Sequence, residues 1–381
     1  MNIRKRVLIS FLLIFVMVFE FSVPLSVSAV SIAEKVIPKE AENYVYNHYK
    51  AAIKSVKMYE QYYSITAEEL ENVQLGTPFV VYELAESEQD EIYYYPILNS
   101  EGNVILLLSV MGTMQGWSIS VSEEWVEGLR KIGDISSEVI FYKSEDNVFA
   151  EKKGQMFCIA GGRDWNINYF QNKTYKAKQQ EVSDIDEQFI KTDTNYIEIT
   201  NENKNDTYTP SFSTSTNSSK ICSLYNKKGQ GNLGLCWAAS VATICNYRRG
   251  KNITAKKVAD KMGVDYNKGT NVSVAQQALK NFGVSYQNLN FSAVNRMTWT
   301  ELKNNIKKKC PVYVSAKSSR SGHAVAAYGY TIAAGIKYVV FWNPGPNGGK
   351  GKPITVEFKS GGTSFAYSNE TFTWTYSVSK Y

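Results

Sequence analysis

Two α+β domains in tandem are what the sequence predicts, the second with its helices first and its antiparallel strands last, and three observations lead there. The 381-residue chain is 44% hydrophobic, enough to build two cores. Residues 161–220 carry little to bury, and Asn, Ser and Thr dominate 201–220, the composition of an exposed linker open to proteolysis. The charge divides at the same place: after Lys220 there are 22 Lys and Arg against 5 Asp and Glu, a net of +17, and the rest of the chain carries −11. Opposite signs suit an acidic segment held against a basic domain.

At the N-terminus, Arg4, Lys5 and Arg6 precede the apolar run Val7 to Phe19, and Val27-Ser28-Ala29 offers a small-residue cleavage site. Residues 1–29 therefore read as a secretory signal peptide, because the apolar run is shorter than the roughly 20 residues a spanning helix needs. Residues 30–160 form the first domain. Ala41, Val45, His48, Ala52 and Val56 recur at spacings of three and four between Lys39 and Met58, so that stretch predicts an amphipathic helix with His48 as a packing residue. Strand-like runs follow at Phe79 to Leu84, Ile92 to Leu98 and Val104 to Val110, with a turn over Asn99 to Asn103. A short helix opens at Ser122 and carries Trp125, Val126 and Leu129; further strands are expected at Val139 to Tyr142 and Gln155 to Ala160.

Residues 161–220 are the expected linker and the place where a precursor would be cut, and residues 221–381 are the second domain. Trp237 to Tyr247 predicts a helix whose first turn carries Cys236, and Thr254 to Met262 a second, stopped by Gly263. Ser273-Val274-Ala275-Gln276 reads as a capping box opening a third that ends at Phe282-Gly283, and Thr300 to Lys309 is a fourth. Strands are expected at Val312 to Ala316, His323 to Ile332, Lys337 to Asn343, Pro353 to Phe358 and Thr371 to Val378. Helices on one half and antiparallel strands on the other leave a cleft between them.

The chemistry gathers in the second domain. Gln230-Gly231-Asn232-Leu233-Gly234-Leu235-Cys236-Trp237 is followed by Gly322-His323-Ala324 and by Trp342-Asn343-Pro344. A thiol at a helix N-terminus is favoured as the anion by unpaired N–H groups and the helix dipole, and an imidazole partner activates it further. The chain holds only two histidines, His48 and His323, and only His323 shares a domain with Cys236. Each residue also has a plainer reading: a Gly-flanked Gln is often a loop residue, Asn before Pro a turn former, and Cys in an apolar helix a core thiol, which is how Cys245 reads.

Taken together these motifs resemble the papain-like cysteine peptidases, in which Gln precedes the nucleophile by six residues and Trp follows it. Leu233 and Leu235 depart from the plant-enzyme form, and His323 follows Cys236 by 87 residues, where that branch has about 130 or more. The Gln-Gly-Asn opening, the Gly-His-Ala start and the Trp-Asn-Pro end are similar to the secreted bacterial staphopain-like branch, over about 160 residues. The resemblance implies a papain-like catalytic domain, a helical half beside an antiparallel β-barrel-like half, preceded by an α+β propeptide that inhibits it. It implies a secreted endopeptidase made as a zymogen, with Cys236 as nucleophile, His323 as base, Asn343 orienting His323, and Gln230 with the Cys236 N–H as the oxyanion hole. Trp342 is expected to shield the His323–Asn343 hydrogen bond.

The expected partners are protein or peptide substrates and the chain's own acidic propeptide, on a monomer; the basic charge also suits an anionic cell wall. No nucleic-acid motif accompanies that charge. No cofactor is implied, and zinc is not, since there is no CxxC pair and no HExxH. Cys158, Cys222, Cys245 and Cys310 remain, and their pairing cannot be read from the sequence. Two other classes stay open: a papain-fold acyl-transfer enzyme, either a cell-wall amidase or transglutaminase-like, and a non-catalytic secreted binding protein.

Overall fold

Ala41, Val45, Ala52 and Val56 form the fully buried stripe of helix α1 (Lys39–Lys57) in the computed structural model, as their spacing requires. Glu40 and Glu42 in its first turn and Lys54 and Lys57 in its last complement the helix dipole. His48 bonds through Nδ1 to the Tyr44 carbonyl at 2.8 Å and stacks on the Tyr44 ring at 3.9 Å, so it packs within the helix. The structure describes residues 36–83, 90–133, 135, 138–144, 147–161, 217–284, 292–295, 297–360 and 362–380. The expected signal peptide and most of the expected linker lie outside them.

The segment after α1 supplies β1 (Gln74–Leu75), β2 (Val81–Glu83), β3 (Ile92–Leu98), β4 (Val104–Thr113), β5 (Gly116–Ser122), α2 (Val126–Ile132), β6 (Val139–Ser144), β7 (Asn147–Lys152) and β8 (Gln155–Ala160). β3, β4 and β5 make an antiparallel meander, and β2, β6, β7 and β8 a smaller sheet in which β2 runs parallel to β6. The second half follows as β9 (Ser218–Ile221), α3 (Cys236–Arg249), α4 (Ala255–Met262), α5 (Val272–Asn281), β10 (Ser292–Asn295), α6 (Trp299–Lys307), β11 (Val312–Lys317), β12 (Gly322–Ala333), β13 (Ile336–Asn343), α7 (Pro346–Gly349), β14 (Lys352–Glu357), β15 (Ser364–Tyr367) and β16 (Glu370–Ser379). The architecture is mixed α+β. Two caps differ from the sequence reading. α5 is capped by Asn271, whose side chain accepts from the Val274 N–H at 3.1 Å, and not by Ser273. The reciprocal capping box belongs to α6, between Thr298 and Glu301.

The two halves share one sheet. Its order is β1-β3-β4-β5-β14-β13-β12-β11-β16-β10, with β15 on β16 and β9 on β12, and the join is β5 against β14, where Ser120, Val121 and Ser122 face Val356, Thr355 and Ile354. The cores merge as well. Ala333 and Tyr338 pack into the cluster beneath α1, and Tyr59 packs into the cluster around α3. All the described residues fall in one compact unit.

Polar contacts line the join. Tyr63 Oη bonds Thr355 Oγ1 at 2.7 Å, Tyr44 Oη donates to Glu357 at 2.5 Å, and Tyr59 Oη donates to the Lys220 and Tyr330 carbonyls. Opposite charges meet there too: Glu123 with Lys352 at 3.4 Å, and Glu83 with Arg320. No helix among the described residues is long and apolar enough to cross a membrane.

Candidate active site

The chain entering α3 cannot be helical. Gly231 holds a left-handed φ of 65°, and Gly234 lies so close to Asn267 that a Cβ there would sit 2.9 Å from its carbonyl. The cap residue Leu235 offers no side-chain acceptor, so the first N–H groups of α3 lack the usual partner. The backbone of Ala324, Trp237 and Cys236 itself favours the thiolate of Cys236. Burial outweighs this and holds the thiol above its ordinary pKa. That differs from the sequence expectation, which counted the helix terminus and omitted desolvation.

From Trp237 to Asn246 every residue of α3 is buried, so the helix runs through the core and is fixed against the sheet. Ser240 Oγ donates to the Ala324 carbonyl at 3.1 Å. Cys236 lies one turn earlier on the same helical face, and its Sγ meets the N–H of that same Ala324. The nucleophile candidate is thus brought to the residue beside His323 on β12.

His323 and Asn343 are both buried, at 5% and 1% exposure, and His323 Nε2 lies 2.7 Å from Asn343 Oδ1. The same Oδ1 accepts the Gly345 N–H at 3.1 Å. A backbone N–H can only donate, which identifies this amide atom as oxygen; Nε2 must then carry the ring proton, leaving Nδ1 unprotonated. Burial pushes the imidazole down to about 4, although the Asn343 hydrogen bond and the Glu370 charge pull it upward. Burial thus favours the uncharged form of both the thiol and the imidazole.

Gln230 sits on a strap fixed at both ends: its N–H donates to the Pro344 carbonyl and the Gly231 N–H to the Gly349 carbonyl, each at 3.0 Å. Its Oε1 is buried and without a partner. Trp342 does not cover the His323–Asn343 pair. Adjacent strand residues face opposite sides, and the Trp342 indole N–H donates to the Lys228 carbonyl at 2.9 Å, with Lys227 Nζ 4.6 Å from the ring. The ring stacked on His323 is Tyr367, with centroids 4.3 Å apart and planes 23° from parallel. Neither Ser240 nor Tyr367 was singled out by sequence reasoning.

All five cysteines are free. Burial pushes the Cys222 and Cys245 thiols up to about 12, which makes them inert packing groups. Among the described residues no cluster of His, Cys, Asp or Glu could hold a metal ion.

One carboxylate couples the N-terminal segment to this region. Glu124 is buried, accepts the Ser368 N–H at 3.0 Å, and is pushed by burial up to about 7 from an ordinary 4.5. The folded protein then holds a proton that the unfolded chain has lost, so Glu124 reduces stability as pH climbs from 4.5 to 7. His323, lowered from 6.5 to about 4, does the opposite and adds stability as pH climbs from 4 to 6.5. The two slopes offset each other. Glu124→Gln keeps the acceptor and removes one slope: its melting temperature should exceed the parent's at pH 8 by on the order of 5 °C, for a gain of up to about 3 kcal/mol, and match it at pH 4.5. An equal shift at both pH values would mean that ionisation of Glu124 is not the cause.

A family model described as Peptidase_C39-like matches residues 197–371, and one described as the staphopain proregion matches residues 27–130. Staphopain A of Staphylococcus aureus strain MSSA476 and of strain MW2 are each 22% identical to this chain over 338 residues, spanning 84% of this chain and 82% of theirs.

Proposed function

We propose that this papain-like, staphopain-related cysteine peptidase is an endopeptidase that cuts internal peptide bonds of proteins, exported behind residues 1–29 and made as a zymogen. In this reading residues 30–160 are the inhibitory propeptide, residues 161–220 hold the activation cleavage, and residues 221–381 are the catalytic domain with a helical and a barrel-like half. The observation that carries the reading is the 2.7 Å contact between His323 Nε2 and Asn343 Oδ1, with Cys236 Sγ on the backbone of the neighbouring Ala324.

Acylation comes first. Cys236 gives its proton to Nδ1 of His323 as Sγ attacks the substrate carbonyl carbon. The oxygen of the tetrahedral adduct carries the negative charge, and the Cys236 N–H and the Gln230 side-chain amide donate to it. When the C–N bond breaks, His323 protonates the departing amine and an acyl-thioester remains. His323 then takes a proton from water, which attacks the thioester carbon, and the carboxylic acid leaves with the thiol restored. Asn343 holds the imidazole in one orientation throughout.

The test is cleavage of casein by the processed chain under reducing conditions. Hydrolysis stopped by an irreversible thiol-directed epoxide, with a single adduct mapped to Cys236, supports the reading. A folded protein that takes the adduct yet leaves casein intact points to acyl transfer to amines or to hydrolysis of cell-wall amides, each assayed on its own substrate.

A further inference from the structure

Tyr367 closes one face of the imidazole that the preceding reading makes the base. It ends β15, and its ring lies nearly parallel to His323 with centroids 4.3 Å apart. Phe365 and Phe372 flank the same imidazole at 6.4 and 5.5 Å. Gly345 makes room for the tyrosine: a Cβ added there would overlap the Tyr367 hydroxyl and ring. Gly345 also gives its N–H to Asn343 Oδ1, so one residue both holds the amide that orients His323 and yields its side-chain space to the ring above it. Ser368 and Asn369, at φ 51° and 57°, turn β15 directly into β16 and leave Tyr367 little freedom.

We propose that Tyr367 is a positioning residue for His323, whose ring, seated in the space left by Gly345, keeps the imidazole in plane with Asn343 and keeps water from their hydrogen bond. The inference rests on the assignment of His323 as base. The charged group acting on the imidazole is Glu370, which is itself engaged with Lys143 and Arg320 at 3.6 and 3.9 Å.

The experiment compares the parent with Tyr367→Ala, Tyr367→Phe, Gly345→Ala and the double variant Gly345→Ala/Tyr367→Ala. In the full chain, imidazole NMR follows His323 directly, because His48 is the only other histidine and a His48→Gln variant assigns it. Tyr367→Ala should raise the His323 titration by about one pH unit or more, since water then reaches the ring, and should remove the ring-current shift of its protons. In the processed enzymes kcat should fall about 10- to 100-fold with KM within about threefold, and the limb of the pH profile belonging to His323 should move up by the amount seen in the titration. Tyr367→Phe should restore both the titration and the rate. Gly345→Ala, which displaces the ring, should behave as Tyr367→Ala, and the double variant should be no worse than either. An unmoved His323 titration in Tyr367→Ala overturns the proposal, and so do losses that multiply in the double variant. A parent that hydrolyses no protein removes the preceding reading alone, because the NMR arm decides Tyr367 without it.

Discussion

Replacing Cys236 by Ala is expected to lower kcat/KM for protein substrates by about 10⁴-fold or more while leaving the melting temperature within a few degrees of the parent's. The side chain is short, partly exposed, and sits at the edge of the core and not within it. Its loss removes the attacking atom and little packing. Cys236→Ser should be almost as inactive, although it fits the same space. Nδ1 of an imidazole held down at about 4 can take a proton from a thiol far more readily than from an alcohol, whose acidity is weaker by several powers of ten. Steady-state rates on casein and a quenched peptide, with circular dichroism of each variant, decide the matter. Should Cys236→Ala keep a tenth of the parental rate, the nucleophile lies elsewhere.

The N-terminal segment grips the turn that follows Tyr367 residue by residue: Glu124 takes the Ser368 N–H, Tyr94 Oη donates to Asn369 Oδ1 at 3.1 Å, and Asp90 takes the Thr371 N–H at 2.6 Å. Lys143, buried between Glu83 and Glu370, bridges that segment to the same hairpin. Removing one partner from such a buried set costs more than an exposed ion pair returns. The hairpin that covers His323 is thus packed as part of the N-terminal segment's own interface.

Much of this was legible in the sequence, and the gaps have physical causes. Helix α3 begins at the cysteine because Gly231 and Gly234 break the chain before it, a local signal. His323 and Asn343 could be ranked because each sits at a strand terminus in a short recognisable run. Tyr367 left no such trace: its strand, Ser364 to Tyr367, is too short to alternate visibly, and Ser368-Asn369 is a weaker hairpin signal than Asn-Gly. Its place beside Asn343 suggests Trp342 as the cover, but neighbours along a strand point to opposite faces. β5 shows alternation in Trp117, Ile119 and Val121, yet its pairing with β14 joins segments separated by most of the chain, which no local pattern records. The direction of the thiol pKa differs from the sequence expectation for a related reason: a helix terminus is visible in sequence, and desolvation is not.

The strap that carries Gln230 supplies the second large effect. Gly229 and Gly349 lie back to back. A Cβ on Gly229 would overlap the Gly349 carbonyl, and one on Gly349 would overlap the Gly231 carbonyl. Backbone has nowhere to retreat at either point, since Gln230 N–H and Gly231 N–H are bonded to Pro344 and Gly349. Gly229→Ala must therefore push the strap outward and carry the Gln230 amide away from the carbonyl oxygen it would stabilise. The expected loss in kcat is about 10²- to 10³-fold, the scale of one oxyanion donor, with about 1–3 kcal/mol of stability from the forced shift. Gln230→Ala should lose as much in kcat without the loss of stability, and the double variant should lose no more in kcat than Gln230→Ala alone, because both changes remove the same donor. Rates and denaturant midpoints for the three variants separate the two effects. Parental kcat in Gln230→Ala would take Gln230 out of the oxyanion hole, and the buried, unpartnered Oε1 would then mark a side chain that serves only to fill the loop.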